Sequence, residues 1–285
     1  MKLKRMIAIL LAGMLAAALF SACSGTAEET GTDTDLPKTG CTCVTLGDSI
    51  AAGFGLERPA DGRFSALLCE DLSQSGQKTW ADRNFGMSGD DTSDLLRRLG
   101  NEGFAKGLTD ADLVVVCIGA NNILQVYTPF LVRYLTLGGD ELVSDFQQFN
   151  ADAQAGIDRY TEDMTGIVSA IRKANPDAPV VLLTVYNPYA DSDASLRIGG
   201  VNWKVATLAD SLVRRLNERI LQCAEKNGFL VADVYAAFAS QKTAPVNGTY
   251  DASNPLLFDP HPNKEGHELI AAILTELPLQ AAEDD

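Results

Sequence analysis

Two short segments near opposite ends of the chain hold residue types that do nucleophilic chemistry together. Leu46-Gly47-Asp48-Ser49-Ile50 puts a serine in a strand-to-helix turn, where the hydroxyl is exposed and the serine N–H faces whatever bonds to it. Asp259-Pro260-His261-Pro262-Asn263 sets one of only two histidines between prolines, in a segment too polar and too constrained for a core. A hydroxyl with an imidazole as its base can attack a carbonyl carbon, so the pair implies acyl transfer to water. A Gly-Asp-Ser turn alone is weak ground, because the same tripeptide caps ordinary helices.

Two more segments follow β-rich runs: Asn84-Phe85-Gly86-Met87-Ser88-Gly89, and Ile118-Gly119-Ala120-Asn121-Asn122. Taken alone, Gly86 is a turn glycine and Asn121 a loop-capping amide. Together with Gly47-Asp48-Ser49 and His261, the set resembles the blocks of the SGNH hydrolases, also called GDSL esterases and lipases, in order and from Val44 to about Ile273. The resemblance implies Ser49 as nucleophile and His261 as the general base that later returns the proton to the leaving group. It also implies an oxyanion hole made of the Ser49 N–H, the Gly86 N–H and the Asn121 side-chain amide. Donors already aimed at a developing alkoxide stabilise it without reorganising, and a glycine lets the substrate oxygen approach the backbone.

The chain departs from the family pattern twice. The third block usually ends Asn-Asp and here ends Asn121-Asn122, so Asn122 is expected to be a structural hydrogen-bonding residue. The last block commonly has Asp, two residues, then His, whereas this chain has Phe258 at that position and Asp259 two residues before His261. Pro260 and Pro262 push the residues before them into extended conformation, which turns Asp259 and His261 to one side. Their Cα atoms would then be about 6–7 Å apart, close enough for the carboxylate to orient the imidazole. A Ser-His dyad held by a backbone carbonyl, that of Phe258 for instance, is the alternative. His267, inside the last helical pattern, is expected to pack or to hydrogen-bond locally.

These segments must be carried by a scaffold that brings them together. Runs at Thr42–Leu46, Thr79–Asn84, Leu113–Ile118, Val180–Val185 and Phe229–Val234 alternate with helical patterns, the spacing of βαβ units. Gly156–Ala174 repeats apolar residues at three- and four-residue steps, as does Leu208–Lys226, which Asn227-Gly228 closes as a left-handed cap. Asn263 is placed to cap a last helix through Leu277. The expected fold is a three-layer α/β/α sandwich around a five-stranded parallel sheet, flavodoxin-like as in SGNH hydrolases. Every block is expected just after a strand, so that they could converge on the carboxyl rim where such folds bind ligands. Residues 123–155 form a long excursion on that rim, able to line an acyl pocket, to form a lid or to pack a small core of its own. A second rim element runs from Asn187 to Trp203.

Lys2, Lys4 and Arg5 precede an apolar run from Met6 to Phe20 and then Ser21-Ala22-Cys23. This is an export signal resembling that of bacterial lipoproteins, with Cys23 as the lipidated residue. An uncleaved anchor and an ordinary secretory signal are the alternatives. The expected division is a signal peptide at 1–22, a flexible tether rich in Thr, Gly, Glu and Asp at 23–40, and one hydrolase domain at 41–280. Removing the leader's three basic residues takes the formal charge from -15 to about -18, which argues against a nucleic-acid partner. Cys41, Cys43, Cys69, Cys117 and Cys223 are an odd number beside Cys23, and neither metal-site spacing nor a phosphate loop is present. The expected protein is a monomeric esterase or lipase without cofactor or metal, acting on an acyl ester at the outer face of a cell membrane. A carbohydrate O-deacetylase on the same site and a non-enzymatic ligand-binding lipoprotein remain open.

Overall fold

In the computed structural model, residues 40–76, 78–138, 142–251 and 257–279 are described; Cys23, the signal segment and nearly all of the tether lie outside them. The elements run β1 (Gly40–Gly47), α1 (Ser49–Ala52), α2 (Pro59–Gly62), α3 (Phe64–Ser75), β2 (Thr79–Gly86), α4 (Thr92–Leu99), α5 (Glu102–Thr109), β3 (Leu113–Cys117), α6 (Ala120–Leu137), α7 (Val143–Ala174), β4 (Val180–Leu183), β5 (Ser195–Ile198), β6 (Val201–Lys204), α8 (Val205–Asn227), β7 (Leu230–Ala232), α9 (Val234–Ala239) and α10 (Lys264–Thr275). Five strands make one parallel sheet in the order β2-β1-β3-β4-β7, the doubly wound arrangement expected from the sequence. β5 and β6 form a separate antiparallel hairpin.

The two-residue period of the strands sorts their side chains into two cores. Val44, Leu46, Val114, Val116 and Leu182 face α7 and α8, meeting Ile157, Met164, Ile167, Leu216 and Ile220. Cys43, Leu113, Val115, Val181 and Leu183 face α3 and α10, meeting Phe64, Leu68, Ile270 and Leu274. A side chain removed from water to this degree contributes roughly 1.5–3 kcal/mol. The helix ends follow their local chemistry. Asn263 accepts the Gly266 N–H at 2.9 Å to start α10, and Gly228 ends α8 at a φ of 65°. Cys41, Cys43, Cys69, Cys117 and Cys223 are in no disulfide.

The excursion at 123–155 is neither an open loop nor a simple lid. Most of it is helical: α6 continues through Pro129, and α7 begins 13 residues before Gly156. With the β5–β6 hairpin the two helices enclose a third core, in which Phe130, Phe146 and Phe149 pack beside Tyr189, Leu196 and Leu212. Trp203 of the hairpin lies 5.0 Å from Phe146, ring centre to ring centre. The excursion thus both builds its own core and lines a cavity described below.

This cap is joined to the rim at a backbone contact. A Cβ on Gly156 would lie 2.0 Å from the Asn122 carbonyl oxygen, so α7 crosses the start of α6 where no side chain fits. Gly156→Ala should therefore destabilise the fold by about 1–3 kcal/mol, read as a lower denaturant midpoint. Gly103→Ala is the control, in an exposed helix position with nothing within 4 Å, and it should hold or raise the midpoint.

Candidate active site

The end of β1 positions the serine. Gly47 pairs with Gly86 of β2 and with Cys117 of β3, and the chain then turns into α1. Asp48 caps that helix, accepting the Ile50 N–H at 2.9 Å, and Ser49 is its first residue. Backbone N–H groups at a first helical turn lack carbonyl partners one turn earlier, so the Ser49 N–H lies beside its own hydroxyl and available to a ligand. Ser49 is buried apart from a small face that opens onto a cavity.

His261 reaches Ser49 from the loop before α10. Its Nε2 is 2.8 Å from Ser49 Oγ, and its Nδ1 is 2.5 Å from Asp259 Oδ1, which also accepts the His261 backbone N–H at 3.0 Å. Nδ1 therefore meets a carboxylate rather than the Phe258 carbonyl. The loop is tied down on several sides. Tyr186, after β4, donates its hydroxyl to the Pro260 carbonyl at 2.7 Å, the Asn247 N–H bonds the His261 carbonyl at 2.9 Å, and Val246 and Pro262 form an isolated bridge. Phe258, standing where the family commonly has its acid, packs 5.1 Å from Tyr189 and anchors the loop to the cap. Burial would raise the Asp259 pKa, but the hydrogen bonds from the His261 ring and backbone and its charge outweigh that, so the carboxyl is held below its usual value.

Two glycines, Gly86 at the end of β2 and Gly89 in the turn after it, have different roles in the structure. Gly86, singled out from the sequence as an oxyanion donor, gives its N–H to Asn84 Oδ1 at 2.8 Å, and a Cβ there would lie 2.4 Å from the Ala52 N. It is a packing glycine whose donor is consumed, and the expectation is corrected accordingly. Gly89, three residues on, is exposed at a φ of 89°, and among the described residues its N–H has no partner. The adjacent Asp90 carbonyl accepts one hydrogen of the Asn121 amide at 2.8 Å, leaving the second hydrogen of that amide to a ligand. The sequence offered two glycines in one segment, and the sign of φ that distinguishes them is not written in composition or spacing.

Neighbouring residues hold this turn. Arg98 forms an ion pair with Asp90 at 2.6 Å and donates to the Phe85 carbonyl at 3.0 Å, fastening the loop to the end of β2. Asn122 donates to Thr92 Oγ1 at 2.8 Å and to the Gly156 carbonyl at 3.2 Å, and accepts the Thr92 N–H at 3.2 Å. These bonds tie α4, α6 and α7 together with no charge. His267 is fully buried, with Nδ1 accepting the Phe64 N–H at 3.2 Å, away from Ser49.

The model of the GDSL-like lipase/acylhydrolase family matches residues 45–269. The chain belongs to that family. The matched span runs from the end of β1 into α10. The chain is 27% identical over 161 residues to the uncharacterized protein YpmR of Bacillus subtilis (strain 168), a match covering 55% of this chain and just over half, 56%, of that one. The GDSL fold also superposes on the lipase Lip_vut3 from a goat rumen metagenome, with a TM-score of 0.63 and 19% identity over 85% of this chain and 100% of that one. For an extracellular lipase from Streptomyces rimosus the values are 0.59 and 22%, over 82% and 98%.

Two buried groups near the acylhydrolase site should give opposite pH dependences. Burial, reinforced by Asp90 and opposed by the Ile50 N–H and His261, pushes Asp48 from 3.8 up to about 7. Burial, with the charge of His261 adding, pushes His267 from 6.5 down to about 4. The Asp48 contribution is fully present below 3.8 and is lost as pH rises to about 7. The His267 contribution is present above 6.5 and is lost as pH falls to about 4. Each changes stability by up to about 1.4 kcal/mol per pH unit, so between pH 4 and 6.5 they should largely cancel. In Asp48→Asn the denaturant midpoint should rise with pH across that window, and in His267→Gln it should fall.

Proposed function

We propose that this chain is a serine esterase or lipase that hydrolyses an acyl ester through an acyl-serine intermediate. The reading rests on the 2.8 Å contact between Ser49 Oγ and His261 Nε2, with the Asp259 carboxylate against the other ring nitrogen. Ser49 Oγ bonds to the acyl carbon as His261 takes the hydroxyl proton, and the departing alkoxide then takes that proton from Nε2. Water, deprotonated by the same nitrogen, attacks the acyl-serine and releases the carboxylic acid. Asp259 stays ionised, fixes the tautomer with the proton on Nδ1 and stabilises the imidazolium. The Ser49 N–H, the Gly89 N–H and the second amide hydrogen of Asn121 receive the oxyanion.

The enzyme works at the outer face of a cell membrane, held by lipid on Cys23. What supports this is the leader, basic and then apolar up to Ser21-Ala22-Cys23, and the polar tether that follows it. Burial of acyl chains at about 0.8 kcal/mol per methylene would supply the attachment.

Hydrolysis of p-nitrophenyl esters should vanish in Ser49→Ala and in His261→Ala, and a fluorophosphonate should label Ser49, as read by peptide mass spectrometry. Asp259→Asn should lower turnover at least a hundredfold; a loss under tenfold, about 1.4 kcal/mol, would remove Asp259 from the triad. Asn121→Ala should cost about 10²- to 10³-fold in kcat. In a bacterial host, the full chain should sediment with membranes and Cys23→Ser should shift it to the soluble fraction; an unchanged distribution would exclude the lipid anchor.

A further inference from the structure

The substrate class is written in the cavity that opens at Ser49. It has a volume of about 110 Å³ and runs under the cap, walled by α6, α7, the β5–β6 hairpin and α8. Its polar side chains of catalytic type, Ser49, Asn121 and His261, stand together, and none of the described residues that line it is an Asp, Glu, Lys or Arg. Beyond them come Leu124 and Phe149 from the cap, Leu196 from the hairpin, and Leu208, Ala209 and Leu212 from α8. Of the tyrosines, Tyr186 donates to Pro260, and the rings of Tyr127, Tyr189 and Tyr250 form one aromatic cluster in which the buried Tyr127 and Tyr250 hydroxyls have no partner among the described residues. At about 10–15 Å³ of such space per water-sized group, the cavity takes a run of roughly eight methyl or methylene groups.

We infer that this cavity is an acyl tunnel and that the natural substrate is an ester of a straight-chain carboxylic acid of roughly six to ten carbons. The inference rests on the esterase reading of Ser49 and His261 and goes beyond it by assigning the acyl half of the ester. A sugar carries several hydroxyls, and the Tyr127 hydroxyl could partner one of them while the aliphatic wall would leave the others dry, whereas each methylene of an acyl chain gains about fourfold in affinity by leaving water. The acyl half, rather than the alcohol, belongs here because of the direction of the chemistry. The oxyanion donor Asn121 is on α6, and the tunnel wall continues along that helix through Leu124 and Tyr127. The leaving alcohol takes its proton at His261, whose outer face is covered by the exposed Phe54 ring at 4.6 Å, so it departs toward solvent. Acyl transfer to Ser49 Oγ releases that alcohol, and water then returns the fatty acid.

Ala209 and Leu208 line the cavity from α8, so a change of their volume changes the length of chain it takes. The test is a p-nitrophenyl ester series from acetate to palmitate with the full-length protein, beside Ala209→Trp, which fills the tunnel, and Leu208→Ala, which lengthens it. Wild type should prefer octanoate over acetate by at least a hundredfold in kcat/KM. Ala209→Trp should lower that ratio at least tenfold, and Leu208→Ala should move the optimum to longer chains. Equal or greater kcat/KM on acetate while a fluorophosphonate still labels Ser49 would overturn the tunnel and leave the esterase reading standing. So would a preference for octyl acetate over methyl octanoate, which would put an alkyl alcohol in the cavity. Should turnover be absent throughout the series, an octyl phosphonate must still label Ser49 faster than a methyl phosphonate; equal rates overturn the tunnel, and labelling by neither overturns both readings.

Discussion

Gly47 has no room for a side chain, and the rest of the site depends on that. A Cβ there would lie 2.1 Å from the Cys117 carbonyl oxygen and 2.7 Å from the Ala51 side chain. The hydrogen at this position lets β1 end flush between its neighbours. The carbonyl of Gly47 can then receive the Met87 N–H at 3.0 Å, and the Asp48 N–H can reach Cys117 at 3.2 Å. Three strand ends are thereby laced at one point, and the three segments that carry Ser49, Gly89 and Asn121 leave from it. Catalytic groups held on rigid elements need little reorganisation when charge develops, and this junction makes loop residues behave as part of the sheet.

Electrostatics around the junction follow from the same close packing. Asp48 and Asp259 both interact with the His261 imidazole and Asp90 acts on Asp48, yet the environments of the three drive them apart. Burial raises Asp48 and Asp90, with Arg98 holding the latter in check, while bonds from His261 lower Asp259. The acid that touches the imidazole keeps its negative charge, and the one beneath the nucleophile is the more easily protonated. One fixed charge beside the ring gives it a single preferred orientation, which three equal carboxylates would not.

Much of this was legible in the chain. The strands of the sheet announce themselves because Leu113 to Ile118 and Val180 to Val185 are apolar on both faces, which only a strand covered by helices tolerates. The pairing of Ser49 with His261 was expected from the scarcity of histidine and from the family resemblance, and the approach of Asp259, two residues earlier, from proline stereochemistry and a pleat. The cap was not legible as helices, because Pro129 sits inside α6 and breaks the local signal, while the packing of Phe130 against Phe149 that overrides it is a tertiary fact. The donor glycine was misassigned for a related reason. Gly86 and Gly89 share one segment, and only the Asn84 side chain, folding back on the former, decides which N–H is free.

His261 and Ser49 are 212 residues apart. A contact of that separation forms late, because the loop between its ends must be closed before the contact can reward it. The histidine also follows all five strands of the sheet along the chain. A nascent chain can assemble β1, β2 and β3 with their donors in place and still hold an idle hydroxyl, since nothing upstream offers a base. Hydrolytic competence therefore waits on the loop before α10, the segment that supplies the base.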